Sequence, residues 1–525
     1  MIKKIVLLLC LVSAVSGYKI LIHNPTTSYS HVQYLILISD ILTDAGHDVT
    51  VLMPLVDPVL KIIRPKKAKL IILDTGANSS EVAEGRKMLD DQIWLENSNS
   101  PFTIFSILEK FSHVLQKNCR SLMNQTDLLD TLRAEQFDIG LLETFQACGF
   151  GLLKSVGVKS IIGGSATVLS DAYYSNHGLD FPSYVPCLMG GDKIPLTLFE
   201  RAKNLLFHYA TIYYFSNKMT QSVQVVFNEM ENNEIDLQDL QRNTAFDLIN
   251  NNVLLDYPSP TTTKIVSVGG IAIKPHKPLP KEYDEILNLR STNVLVSFGS
   301  IVNTTTMPLK YKMGLMRSFA QNPDVTFIFK YSENDIEYAN EHKNVIFQKW
   351  VAQSDLLGDK RLNLFITHGG LNSVNEMALH GVPSISIPFF SDQTRNSNML
   401  LRLNVTTIVN KKQILDEDFL GTTIQRMLTD KSYKENSMKL AQMIKKYPDF
   451  SKEKLIKIVE FACEFGNVNH LDLPSKNMTF IEVNNLDILI IAILTLLAAC
   501  FVTFKFIRLI SRLFDSRISN DKKTN

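Results

Sequence analysis

Neither sign of charge is in excess. The 54 Lys and Arg stand against 53 Asp and Glu, so the chain lacks the basic field that nucleic-acid binding needs. No G-x-G-x-x-G and no P-loop pattern occurs, which counts against a nicotinamide enzyme or a nucleotide triphosphatase. Cysteine is sparse: there are six, with Cys10 in an apolar leader and Cys500 in an apolar tail. The other four, Cys119, Cys148, Cys187 and Cys463, have spacings that fit neither a metal site nor a disulfide framework. They leave room for one disulfide without assigning it. The acidic run Asp416-Glu417-Asp418 imitates a metal-binding carboxylate pair, but it opens a helix, where N-terminal carboxylates have a simpler use; no metal is expected.

What is present is alternation. Lys19 to His23, Asp48 to Met53, Lys69 to Asp74, Phe137 to Leu142 and Lys159 to Gly163 read as strands. Ser30 to Ala45 carries Leu35, Ile38 and Leu42 at helical spacing and is stopped by Gly46; Ile104 to Arg133 is mixed helical. This predicts an α/β chain with a parallel sheet. The proline-rich Lys274 to Pro280 reads as a linker. A second series follows, with strands at Asn293 to Phe298, Val325 to Lys330, Val345 to Gln348, Leu362 to Thr367 and Ser384 to Pro388. Helices near Phe419 to Leu428, Met438 to Lys446 and Lys452 to Phe465 close it. A chain of 525 residues has room for two full cores. The aromatic stretch Phe199 to Phe215 suits a core helix, an acceptor-pocket wall or a surface resting on a membrane; core and pocket together fit best.

The most informative stretch is Trp350 to Gln393. The apolar run Leu362 to Thr367 ends in His368-Gly369-Gly370. A helical segment, Leu371 to His380, follows and is stopped by Gly381, and Pro383 to Phe389 leads to Asp392-Gln393. Glycines at a strand-to-helix turn let a ligand approach the backbone, and the helix N-terminus offers free N–H groups and a positive dipole. That suits a diphosphate, with His368, Gly370, Asn372 and Ser373 at the mouth. Glu376 lies on the same helix face as Asn372 and Ser373, one turn in, where a carboxylate takes both hydroxyls of a ribose. Trp350 can stack a flat base and Gln353 can read its edge. Asp392 and Gln393, at the end of the next strand, can hold sugar hydroxyls.

These residues carry a resemblance. Trp350-Val351-Ala352-Gln353, Thr367-His368-Gly369-Gly370-Leu371-Asn372, Glu376, Pro383 with Pro388, and Asp392-Gln393 resemble the signature of the UDP-glycosyltransferases, especially the animal UDP-glucuronosyltransferases; Ala352 stands where the family has proline. Weaker resemblance covers nearly the whole chain, including Val268-Gly269-Gly270 before the linker. It implies the GT-B fold, an α/β architecture of two facing Rossmann-like domains, here with a C-terminal transmembrane helix. It also implies a UDP-sugar as co-substrate, with no other cofactor, and a role near the diphosphate and sugar for the turn holding Ser297, Gly299 and Ser300.

Sugar transfer to a hydroxyl needs a base. His31 begins the helix after the first strand, at the carboxyl edge of the sheet where clefts form, and it titrates near neutral pH. Glu143, ending the Phe137 to Leu142 strand on the same edge, can orient it. The family has a serine-histidine pair at the matching helix start, here Ser30-His31, and an aspartate where this chain has Glu143. His23, ending the first strand, is a lesser alternative base; His47 and His380 sit beside helix-ending glycines and read as caps.

The two ends complete the expectation. Lys3 and Lys4 precede an apolar run and small residues up to Gly17, a secretory signal. Ile488 to Phe504 carries no charge and precedes Lys505, Arg508, Arg512 and Arg517, so it reads as a span with a cytosolic tail. Lys522-Lys523 resembles a dilysine retrieval signal. Sequons start at Asn78, Asn124, Asn303, Asn404 and Asn477. The expected organisation is a signal over 1–17, an acceptor-binding domain over 18–273 and a linker over 274–292. A UDP-sugar-binding domain over 293–466, a juxtamembrane segment over 467–487, a span over 488–504 and a tail over 505–525 follow. The expected function is inverting transfer of glucose or glucuronic acid to a small lipophilic acceptor at the endoplasmic reticulum membrane, with a homo- or hetero-oligomer left open. The inversion comes from the resemblance alone. The absence of a family arginine at Pro258-Ser259-Pro260 leaves glucose a competitor to glucuronic acid as donor sugar. A non-catalytic lipophile-binding protein or partner subunit is the alternative.

Overall fold

The two apolar alternations resolve into two parallel sheets in the computed structural model. It describes residues 17–57, 59–76, 79–95, 101–230, 235–271, 278–300, 302–331, 336–447 and 452–521. The leader, Asn78, most of the proline-rich linker and Lys522-Lys523 lie outside the described residues.

The first sheet contains β1 (Lys19–His23), β2 (Asp48–Leu55), β3 (Lys69–Asp74), β4 (Ile139–Glu143), β5 (Ile161–Ser165), β6 (Asp247–Ile249) and β7 (Ile265–Ser267) in the order β3-β2-β1-β4-β5-β6-β7. The second contains β8 (Thr292–Ser297), β9 (Val325–Lys330), β10 (Val345–Gln348), β11 (Leu362–Thr367), β12 (Ser384–Ser386) and β13 (Thr406–Ile408) in the order β10-β9-β8-β11-β12-β13. All pairings are parallel. Parallel strands are buried on both faces, which is why their runs are apolar throughout. In β1, Ile20 and Ile22 join one core while Leu21 joins the core on the other face, as the two-residue pleat requires.

Each sheet reverses its winding once, between β1 and β4 and between β8 and β11. A crevice opens beyond the carboxyl ends of the strands at such a point. Helix α1 (Tyr29–Asp44) follows β1, and α2 (Leu371–His380) follows β11. The reversals therefore bring His31 beside Glu143, and Gly299 beside His368.

Two segments cross between the cores. Ile93 and Trp94, early in the chain, are buried with Phe298, Tyr311 and Phe389 of the second core, and Trp94 meets Phe389 edge-on at 5.0 Å. The helix Lys452–Phe465, read from sequence as closing the second domain, instead buries Leu455, Val459 and Ala462 in the core that holds Ile20 and Ile38. The core assignment of the aromatic stretch is also corrected. In the helix Leu198–Thr211 the buried residues are Asn204, His208 and Thr211, while Leu198, Phe199, Leu206 and Tyr209 are exposed. Its inward face is polar because it fastens a loop: Asn204 donates to the carbonyls of Ser183 and Val185, and His208 meets Asp171 at 2.8 Å. Cys119 and Cys148 form the disulfide that the sequence left unassigned.

The chain from Asp472 onward is a separate unit. It contains the helix Leu486–Asp521, in which Leu486–Leu513 is long and apolar enough to cross a membrane. This stretch is longer than Ile488 to Phe504, because the basic residues after Phe504 continue the helix.

Candidate functional site

A cleft of about 1880 Å³ opens between the two carboxyl edges. The first sheet contributes Tyr29, Ser30, His31 and Thr167. The second contributes Gly299, Lys330, Trp350, Gln353, His368, Gly370, Asn372, Ser373, Glu376, Asp392 and Gln393. Eleven of the twelve residues expected from sequence are thereby brought to this site, ten on its lining and Glu143 directly behind His31. Ser297 is the exception. It is fully buried at the end of β8 with its hydroxyl unpartnered, and the lining position belongs to Gly299 and Ser300.

On the first-sheet wall, His31 Nδ1 meets Glu143 Oε1 at 2.8 Å and Oε2 at 2.7 Å. Glu143 Oε1 also accepts from the Ala166 backbone N–H at 2.8 Å. Glutamate's extra methylene does not spoil the pair, since the carboxylate is pinned by a backbone donor from the end of β5. With Nδ1 held by Glu143, Nε2 is the ring nitrogen left for the cleft. Burial would pull the His31 pKa down, but the charge and hydrogen bond of Glu143, with a smaller contribution from Asp392, hold it above its ordinary value. Phe145 packs edge-on to His31 at 5.2 Å and also lines a second, narrow apolar cavity with Leu115, Leu122, Met219, Val223 and the Cys119–Cys148 bridge. His23 lines that cavity instead of the cleft, which removes it as a base. Burial pushes its pKa to about 4.

On the second-sheet wall the backbone comes first. His368 is held between two glycines. A Cβ on Gly299 would stand 2.5 Å from its ring, and one on Gly370 would also collide with it. Gly299 has φ +81°, a conformation that L side chains rarely adopt. Burial, with the nearby charge of Lys330, lowers the His368 pKa to about 4, so the ring is neutral near pH 7. Its Nδ1 is buried and unpartnered, an orphan beside the free N–H groups of the α2 N-terminus. We expect Gly299→Ala to displace His368 and lower uridine-nucleotide affinity about 10-fold, the loss of one hydrogen bond to a charged group; calorimetric titration checks this.

The carboxylates differ in their surroundings. Gln353 Nε2 donates to Glu376 Oε2 at 2.6 Å and to Ser373 Oγ at 3.1 Å, so its N–H groups are committed to the helix and its amide oxygen is what it can offer to a base edge. Burial raises the Glu376 pKa to about 7. Asp392 is raised by burial too, opposed by a hydrogen bond from Asn396 and by His31; Asn396 Nδ2 donates to Asp392 Oδ2 at 2.8 Å. Gln393 Oε1 accepts from the backbone N–H groups of Phe389 and Phe390 and so shapes the loop that presents Asp392. Asn372 Oδ1 accepts from Asn250 Nδ2 at 2.9 Å, which links the second wall to the end of β6. Trp350 is 60 % exposed, with Tyr29 edge-on at 6.2 Å.

Sequence reading missed Lys330, Tyr29, Thr167 and Asn250. Lys330 had one signal, a basic residue ending a buried strand at the carboxyl edge of its sheet. No metal-holding group of three or more His, Cys, Asp or Glu occurs among the described residues.

Comparison with known proteins agrees with this geometry. Residues 19–522 match the family described as UDP-glucoronosyl and UDP-glucosyl transferase. The chain is 29% identical to a putative UDP-glucuronosyltransferase, ugt-47, of Caenorhabditis briggsae over 95% of this chain and 94% of that one. It is 28% identical to human UDP-glucuronosyltransferase 1A8 over 88% and 86%. Among solved structures, Phytolacca americana UGT2 in complex with UDP-2fluoro-glucose and pterostilbene superposes with a TM-score of 0.58 at 16% identity, covering 85% of this chain and all (100%) of that one. The glycotransferase of kitacinnamycin gives 0.56 at 16% identity, covering 85% and 99%. These two share the fold.

Proposed function

The chain belongs to the UDP-glucoronosyl and UDP-glucosyl transferase family, and on that premise we propose that it is an inverting hexosyltransferase acting on a small lipophilic acceptor. It is a UDP-glycosyltransferase with the GT-B fold. In the proposed reaction the second wall holds the UDP-sugar. The diphosphate lies on the α2 N-terminus and His368, with Ser373 and Asn372 beside it. The ribose hydroxyls lie on Glu376, the uracil on Trp350, and the sugar hydroxyls on Asp392 and Gln393. The acceptor enters from the first wall, where Tyr29, His31 and Thr167 line the cleft. His31 Nε2 takes the hydroxyl proton as that oxygen attacks the anomeric carbon. The new C–O bond forms as the bond from the anomeric carbon to the β-phosphate oxygen breaks, and UDP leaves with the bonding pair. Glu143 stabilises the imidazolium that results. In-line attack converts an α-linked donor into a β-linked product.

The observation that carries this reading is the His31–Glu143 pair at 2.7 Å across one cleft from the glycine-flanked turn at His368. The helix dipole, neutral imidazole and hydroxyl donors at the diphosphate call for no metal. The donor is glucose or glucuronic acid. A non-catalytic partner role loses its support, since neither departure from the family pattern distorts the site: Glu143 reaches His31, and Ala352 begins the helix Gln353–Gly358. The Leu486–Leu513 helix fits a single-pass membrane protein, and the basic residues Lys505, Arg508 and Arg512 within its last turns favour a lumenal body and a cytosolic tail. Mass spectrometry of the purified protein with UDP-glucose or UDP-glucuronate and a panel of phenols and alcohols tests the function. A mass gain of one hexose or hexuronic acid is expected, with a β-anomeric coupling constant in the proton NMR spectrum of the isolated product; an α-linked product would reject the inverting mechanism.

A further inference from the structure

Strands β9, β8 and β11 are neighbours, and their carboxyl ends deliver Lys330, Gly299 and His368 to the cleft in that order. The Lys330 ammonium donates to the Gly299 carbonyl at 2.9 Å and stands 5.0 Å from the centre of the Trp350 ring. It lies close enough to His368 to disfavour a second positive charge there. It has no carboxylate partner among the described residues, yet burial makes the charged form costly. A half-buried cation paired only with a carbonyl, between a base platform and a phosphate-facing imidazole, is a preformed anion site.

We infer that Lys330 is the cation that takes the charge of the donor's diphosphate, and that it stabilises the departing UDP. This rests on the nucleotide-sugar reading of the cleft. The nucleoside ends at Trp350 and the reacting sugar at Asp392, so the diphosphate runs between them, past Lys330. Negative charge grows on the β-phosphate as the anomeric bond breaks, and a fixed cation beside it acts more strongly in the transition state than in the ground state. The His368 ring supplies no charge of its own, so Lys330 is the cationic member of the set.

The test compares uridine, UDP, UDP-glucose and UDP-glucuronate on the wild-type protein and on Lys330→Met and Lys330→Arg. Loss of one charge-assisted contact predicts a UDP affinity lower by about 10- to 100-fold in Lys330→Met. Uridine affinity is unchanged, kcat falls with both donors, and Lys330→Arg recovers most of the loss. Unchanged uridine binding also certifies that the variant is folded. Equal weakening of uridine and UDP would overturn the inference by making Lys330 a prop for Trp350. Loss confined to UDP-glucuronate, with UDP binding intact, would overturn it by making Lys330 a reader of the sugar carboxylate. A wild-type protein that binds neither uridine nor UDP would instead overturn the nucleotide reading itself, and this inference with it.

Discussion

His31→Ala is expected to lower kcat by about 10²- to 10⁴-fold, the range for a positioned general base, while UDP affinity stays as in the wild type. The separation follows from the walls: His31 stands on the first-sheet edge and the proposed uridine contacts on the second. Glu143→Gln is expected to lower kcat comparably, because an amide can offer its NH₂ to Nδ1 and turn the ring into the wrong tautomer. The pH profile separates the two roles. Glu143 raises the His31 pKa, so the unprotonated base accumulates only as pH rises through that elevated value. Without the charge the value falls, and the acidic limb of kcat at saturating UDP-sugar, where Glu376 is held ionised, should move to lower pH even though the plateau is lower. Stopped-time UDP release across pH reads both effects. An unshifted limb would mean that His31 is not the titrating base.

Glu376→Ala is expected to weaken uridine binding by about 10²- to 10⁴-fold. A carboxylate accepting two ribose hydroxyls makes two charge-assisted bonds worth about 1.5–3 kcal/mol each, and no neighbour replaces it. The wild-type pH dependence is equally diagnostic. Burial places the Glu376 pKa at about 7 in the free protein, and the hydroxyls need the ionised form. Uridine affinity should therefore rise with pH up to about 7 and level off above it; uridine, unlike UDP, has no phosphate that titrates in this interval. Glu376→Gln should remove the dependence. Titration calorimetry from pH 5.5 to 8.5 decides the matter. Flat wild-type affinity would show that the ribose is held elsewhere.

The two predictions draw differently on the sequence. Glu376 was legible because it sits one helical turn beyond a glycine-flanked strand end, a relation that 3.6-residue periodicity settles within a dozen residues. The His31–Glu143 pair spans 112 residues. Each member was legible as the end of a strand or the start of a helix, but their contact depends on β1 pairing with β4, which local pattern does not specify. Gln353 shows a further limit. Its position beside Trp350 suggested a base reader, and only the structure shows that its amide N–H groups are taken by Glu376 and Ser373, because a buried carboxylate is the stronger acceptor. Phe199 to Phe215 shows the opposite error. An aromatic-rich helix seemed to belong to a core, but its polar residues Asn204 and His208 face inward to fasten a loop.

The sequence by itself determined the two alternating series, the glycine turn at His368-Gly369-Gly370, the helix face bearing Glu376 and the apolar run near the carboxyl end. Each of these is a short-range pattern, and hydrophobic periodicity and glycine placement act over a turn or a strand. Only the tertiary structure decided that Cys119 pairs with Cys148, that Trp94 and the Lys452–Phe465 helix cross to the opposite cores, that Ser297 sits behind the lining, and that Lys330 stands in the cleft without a carboxylate partner among the described residues. Strand order sets these, because parallel strands far apart in the chain must lie side by side before their carboxyl ends can share one site.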